Sequence, residues 1–133
     1  MTRTDVFFDT NILVYLLSGD IEKARRSESL LARGGMASVQ VLNEYVSVCR
    51  RKHRAPWEAV LETIAAFKST LTILPISLET HERGLALAQR HNFAIYDAMI
   101  VAAAQLSGCS TLYTEDMHNG LALGGLRIVD PYA

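Results

Sequence analysis

The chain switches repeatedly between short apolar runs and stretches of helical period. Asp5-Val6-Phe7-Phe8 is too short and too continuously apolar for a helix, and predicts a buried strand. Residues 11–17 and 21–33 predict helices, the second capped by Asp20. Met36-Ala37-Ser38 predicts a short strand. Val39, Leu42, Val46 and Cys49 then recur at helical spacing, which predicts a helix to about Arg54. Pro56 suits a first helical position and opens a helix with Trp57, Val60, Leu61, Ile64 and Phe67 on one face. Residues 71–74 predict a strand stopped by Pro75, and Ser77 caps a helix to about Arg90. A further helix from about Tyr96 to Ser107 stops at Gly108, a residue suited to a left-handed cap. Residues 110–113 and 126–129 are the last strands, and Gly34-Gly35 and Gly124-Gly125 predict turns before strands.

Strands separated by helices argue for an α/β fold of three layers, with helices on both faces of a short parallel sheet of about four to five strands. Ligands bind such sheets beyond the carboxyl ends of the strands, so chemistry is expected at that edge.

Half of the 133 residues are apolar, enough for one domain over residues 1–133 with a real core and no staples. Acids number 14 against 13 Lys and Arg, a net charge of −1. That excludes a strongly charged disordered chain and a uniformly basic nucleic-acid coat, and leaves room for a local basic patch. Cys49 and Cys109 are far apart and outside metal-ligand spacing, as small apolar core residues of a reduced compartment would be. The opening Met-Thr-Arg-Thr-Asp carries no apolar leader, and no stretch of about 18 apolar residues occurs, so a cytoplasmic address without membrane contact is expected.

Four acids stand out. Asp9 directly follows the first strand, and Asp116 follows Leu112-Tyr113-Thr114 by one residue. Asp97 opens an apolar helix, and Glu44 lies between the apolar positions Leu42, Tyr45 and Val46. Taken singly, each has an ordinary explanation: Asp97 as a helix N-cap, Asp9 and Asp116 as turn formers, Glu44 as a solvated helix residue. Taken together, two lie past strand ends and two near the starts of helices that follow the sheet edge, so all four are expected to converge on one rim. Carboxylates that close repel and raise one another's pKa, and a hard divalent cation such as Mg²⁺ or Mn²⁺ relieves the repulsion. Apart from His118, no His, Cys or Lys stands beside them, which leaves zinc and Schiff-base chemistry without ligands or nucleophile. An oxygen-only site suits metal-assisted phosphodiester hydrolysis.

These residues resemble the motifs of PIN domains, and of VapC-type toxins in particular. Asp9-Thr10-Asn11 after a short apolar strand is similar to the family's opening motif. Ser38, Asn43-Glu44, Tyr96-Asp97-Ala98 and Thr114-Glu115-Asp116 follow in the family's order and spacing, over nearly the whole chain. The resemblance implies a PIN-like fold and a Mg²⁺- or Mn²⁺-dependent ribonuclease. It implies that Asp9, Glu44, Asp97 and Asp116 line the metal site, with Asn11 holding the first acid and Thr114 beside the fourth. The VapC branch implies a cytoplasmic toxin, often a homodimer, silenced by a cognate VapB-like antitoxin. Glu115 adds a fifth acid, and motif position favours Asp116 over it as the group facing the metal.

The basic run Arg50-Arg51-Lys52-His53-Arg54 reads either as RNA phosphate contacts, from Arg50, Arg51 and Arg54, or as a charged helix end. Tyr15, Leu16, Leu17, Trp57 and Phe67 read as core, or as a groove for an antitoxin helix. His81 and His91 lie ten residues apart and share no metal; His118 reads as a loop residue. A phosphoacceptor receiver lacks its acidic pair and late lysine here, and a haloacid-dehalogenase-type phosphatase wants an aspartate where Asn11 stands. Two rivals remain within the fold: a PIN nuclease of RNA maturation without an antitoxin, and a catalytically silent binding module.

Overall fold

The structure, a computed structural model, describes residues 5–133. The leaderless opening inferred above therefore lies, but for Asp5, outside the described residues. The order along the chain is β1 (Val6–Phe8), α1 (Thr10–Val14) with a 3₁₀ turn (Tyr15–Leu17), α2 (Ile21–Ala32), β2 (Met36–Ser38), α3 (Val39–Arg51) and α4 (Trp57–Thr70). It continues with β3 (Thr72–Leu74), α5 (Leu78–His91), α6 (Ile95–Leu106), β4 (Thr111–Tyr113), β5 (Ala122–Leu123) and β6 (Leu126–Val129).

The strands form one sheet in the order β3-β2-β1-β4-β6-β5. All neighbours are parallel except β5 and β6, which pair as an antiparallel hairpin. β1 is central and covered on both faces, which is why Val6, Phe7 and Phe8 are apolar without alternation and all buried. From β1 the chain first builds outward through β2 and β3, then crosses to the other side for β4 and β6. The direction of winding reverses between β1 and β4, so their carboxyl ends border the crevice where sheets of this kind bind ligands. The pairing of Phe8 with Tyr113 brings those two ends level.

α6 explains its composition by its position. Every residue from Ala98 to Ala104 is buried, so the helix is apolar all round and forms part of the core. α5 lies against it closely because Gly84 has no side chain; a Cβ there would meet Met99 Sδ at 2.5 Å. Gly35 is equally constrained. Its φ is +153°, and a Cβ would meet Phe8 Cε2 at 2.6 Å and Val6 Cγ2 at 2.8 Å. Cys49 and Cys109 are both buried, and the Asp20 and Ser77 caps form as predicted.

Several elements depart from the expected pattern. The sheet has a sixth strand, because Ala122-Leu123 pairs across the Gly124-Gly125 turn; two residues carry no period to read. The first helix tightens into a 3₁₀ turn at Tyr15. α3 ends at Arg51, before a turn in which Arg54 takes a left-handed φ of 50° and Ala55 precedes Pro56. α6 begins at Ile95 with Ala94 as N-cap, so Asp97 sits within the first turn and does not cap. On α4, Val60 and Phe67 face the core, but Trp57 and Leu61 are 53% and 60% exposed. The apolar stripe is thus narrower than the spacing suggested.

Candidate active site

β1 delivers Asp9 to the crevice. The backbone N–H of Asp9 donates to the Tyr113 carbonyl at 3.0 Å, extending the β1–β4 ladder by one bond. Asp9 is also the N-cap of α1: its Oδ1 accepts from the Thr10 N–H at 2.6 Å. The Thr114 hydroxyl donates to Oδ2 at 2.7 Å. Capping and chemistry therefore coexist in one side chain. Asp9 is only 4% exposed, and burial pushes its pKa up to about 7. The Thr114 and Thr10 hydrogen bonds pull it down, while the charges of Asp97 and Glu44 push it further up.

Asn11, the second residue of α1, ties the first acid to the fourth. Its Nδ2 donates to Asp116 Oδ2 at 3.0 Å and to Thr114 Oγ1 at 3.3 Å, and lies 3.5 Å from Asp9 Oδ2. Its Oδ1 accepts from the Glu115 N–H at 3.3 Å, and the Asp116 N–H donates to Thr114 Oγ1 at 3.2 Å. The loop after β4 is thus held by one amide and one hydroxyl, both on its acidic side.

Glu115 and Asp116 line the same cleft but differ in their partners. Glu115 accepts from Lys23 Nζ at 2.5 Å and from the Tyr15 hydroxyl, and these contacts hold its carboxyl below the usual range. Lys23 also lies over the Tyr15 ring, 4.7 Å from its centroid. Glu115 is therefore committed to a local ion pair, whereas Asp116 lies close enough to Asp97 to raise the pKa of that carboxyl, second to the effect of its burial. Glu44 is half-buried on α3, with Gln40 Nε2 donating to it at 3.2 Å. Desolvation raises its pKa, and Asp97 adds to the shift.

Asp9, Glu44, Asp97 and Asp116 all line one open cleft of about 680 Å³. Glu44, Ser47 and Arg51 share its α3 wall at helical spacing, and Lys52 follows. Thr10 also lines it, and its Oγ1 is the one buried side-chain oxygen among the described residues without a hydrogen-bond partner. Of the remaining predicted residues, Ser38 is buried and caps α3 through the Val41 N–H at 3.4 Å. Arg50 donates to the Ala55 carbonyl at 2.8 Å, and neither it nor Arg54 lines the cleft. Of the five apolar residues read as core or groove, Phe67 is buried and Leu16 packs against the core, the two lining one apolar groove with Leu31 and Leu71, whereas Tyr15 lines the acidic cleft and Leu17 and Trp57 are exposed.

Sequence reasoning passed over Thr10 and Lys23. Thr10 stood inside the Asp-Thr-Asn motif as a spacer. Lys23 has no linear signal, since its acidic partner is 92 residues away.

The donor set suits a hard divalent cation. It is all oxygen, three of its carboxylates are raised by desolvation and mutual repulsion, and an unpartnered hydroxyl stands beside them. Among the described residues no three acid, His or Cys side chains converge tightly enough to ligate one ion. An ion that keeps much of its water shell needs only one or two direct carboxylates.

The fold and this site define an α/β domain with an acidic cleft at its topological switch point. Residues 6–118 match the PIN domain family, and the chain belongs to that family. Its structure is similar to a chain of a toxin–antitoxin complex from Klebsiella pneumoniae, with 31% identity, 96% of this chain and 98% of that chain covered, and a TM-score of 0.73. VapC20 from Mycobacterium tuberculosis, a sarcin-ricin loop cleaving toxin, is 21% identical over 84% of this chain and 91% of that one, with a TM-score of 0.68. In DNA-bound VapBC from Salmonella typhimurium the values are 22%, 98%, 99% and 0.69. These last two likenesses are of fold. No curated protein sequence matches the chain.

Proposed function

We propose that this protein is a Mg²⁺- or Mn²⁺-dependent endoribonuclease and the toxin of a VapBC-type pair, held inactive by a cognate antitoxin. The observation that carries the reading is the gathering of Asp9, Glu44, Asp97 and Asp116 in one cleft, with Asp9 buried at its base. The toxin–antitoxin setting is supported by the Klebsiella pneumoniae relative, which matches over nearly its full length. RNA as substrate class is supported by the description of VapC20 as a toxin that cleaves the sarcin-ricin loop. A homodimer and a cytoplasmic location belong to the same proposal. Among the described residues, no helix is long and apolar enough to cross a membrane.

Asp9, Asp97 and Asp116 would hold the cation, directly or through water, and Glu44 would complete the shell. The cation would supply an activated water and offset charge building on the leaving oxygen. The chain's own residues orient the reactants. Thr10 N–H and Thr114 fix both oxygens of Asp9, and Asn11 fixes Asp116. Glu44, half-buried on α3 and held by Gln40, would otherwise orient the attacking water. Arg51 and Lys52 on the α3 wall bind flanking phosphates.

The test is to incubate RNA with purified protein in Mg²⁺ or Mn²⁺ and in chelator, then sequence the 5′ ends of the fragments. Discrete cleavage that needs the metal and vanishes in Asp9→Asn is expected. Intact RNA with both ions, or wild-type cleavage by Asp9→Asn, overturns the proposal.

A further inference from the structure

The end of α3 and the connection to α4 carry five consecutive basic or imidazole side chains, Arg50 to Arg54, and α4 opens on Trp57, the single tryptophan of the chain. Arg50, Arg51, Lys52, His53 and Arg54 are all exposed. The segment is built rather than loose. The Ala55 N–H donates to the Cys49 carbonyl at 3.0 Å, and Arg50 Nη1 donates to the Ala55 carbonyl at 2.8 Å. That clamp sets the Arg50 guanidinium over the Trp57 ring, 4.6 Å from its centroid. Trp57 is nevertheless 53% exposed, so much of a large aromatic surface is open to solvent beside concentrated positive charge. The stack adjoins the acidic cleft through the residues next to Arg50 in sequence. Arg51 and Lys52 line that cleft, and Arg51 lies seven residues, about 10 Å along α3, from Glu44.

Cationic side chains that track a phosphate backbone, next to an aromatic platform, are what single-stranded nucleic acid requires. A duplex keeps its bases stacked and offers the platform nothing; a single strand can lay a base on it. An arginine already stacked on the ring restricts its orientation and adds to the stack. We propose that the Arg50–Trp57 stack is a base-binding platform beside the cleavage cleft. There Trp57 stacks an unpaired base while Arg51 and Lys52 hold phosphates leading toward the acids. This rests on the reading of the protein as a ribonuclease and assigns a base-contacting residue outside the acidic cleft. The charge favours RNA over an apolar antitoxin helix as the occupant, because five neighbouring cationic or imidazole groups would be costly to bury against such a partner.

With one tryptophan, intrinsic fluorescence reports this position alone. The wild-type protein is titrated in chelator with a short single-stranded oligoribonucleotide, with the same strand in a duplex, and with an abasic strand of equal length. Saturable quenching by the single strand is expected, with little from the duplex or the abasic strand. By anisotropy of a labelled strand, Trp57→Ala should bind about tenfold more weakly, and Trp57→Phe should recover most of the loss. Quenching by the abasic strand equal to that by the base-bearing one overturns the proposal. So does unchanged affinity in Trp57→Ala, or fluorescence that responds to antitoxin and not to RNA. A parallel incubation of the wild type with RNA and Mn²⁺ separates the two readings. Quenching without cleavage refutes the nuclease and keeps the platform; cleavage without quenching does the reverse.

Discussion

The side-chain amide of Asn11 donates a 3.0 Å hydrogen bond to Oδ2 of Asp116, across 105 residues of chain. The same amide accepts from the Glu115 N–H, so one residue of α1 sets the path of the loop after β4. Asn11→Ala should release that loop and lower the cleavage rate by about 10- to 100-fold, the usual cost of losing a group that orients a metal ligand. Single-turnover cleavage rates, with circular dichroism to verify folding, measure this. A rate equal to wild type would remove Asn11 from the positioning role.

Asp9 makes stability depend on pH. Its folded pKa of about 7 lies above the ordinary aspartate value of 3.8. Between those values the native state keeps a proton that the unfolded chain has released, so stability falls as pH rises through that window. The shift corresponds to about 4 kcal/mol. Urea unfolding midpoints in chelator should be higher at about pH 5 than at about pH 8, and Asp9→Asn should flatten the difference and be the more stable at the higher pH. Added Mn²⁺ should restore the wild type, because a bound cation takes the place of the proton. Equal slopes in wild type and variant would contradict the assignment.

Glu115 and Asp116 should differ sharply although they are adjacent. Glu115 is paired with Lys23 and Tyr15, while Asp116 is tethered by Asn11 and interacts with Asp97. In calorimetric titrations with Mn²⁺, Asp116→Asn should weaken binding by about tenfold or more, since it removes a charge from the site. Glu115→Gln should stay within a few-fold of wild type. The opposite order would transfer the metal-facing role to Glu115.

Gly35 tests the fold rather than the site. A side chain there would strike both Val6 and Phe8 of the central strand, on a backbone with φ of +153°. Gly35→Ala should cost about 2–4 kcal/mol in chemical denaturation, combining overpacking with backbone strain. A loss of only a few tenths would mean that β1 and the turn before β2 can separate at little cost.

What the sequence determined by itself is whatever is encoded over a few neighbouring residues. The continuous apolar run of β1, the caps at Asp20 and Ser77, the left-handed Gly108 and the carboxylates at strand ends were all legible, because each is a local preference of backbone or solvent. The tertiary structure decided matters that depend on distant segments meeting. It sent Trp57 outward from an apolar stripe, paired Glu115 with Lys23, left Asp116 to Asn11, and made Ser38 the buried cap of α3. The physical reason is that period and propensity place a side chain on an element. Which neighbour neutralises its charge or covers its surface depends on how the elements then assemble, and nothing in the linear order near Glu115 names a lysine 92 residues earlier.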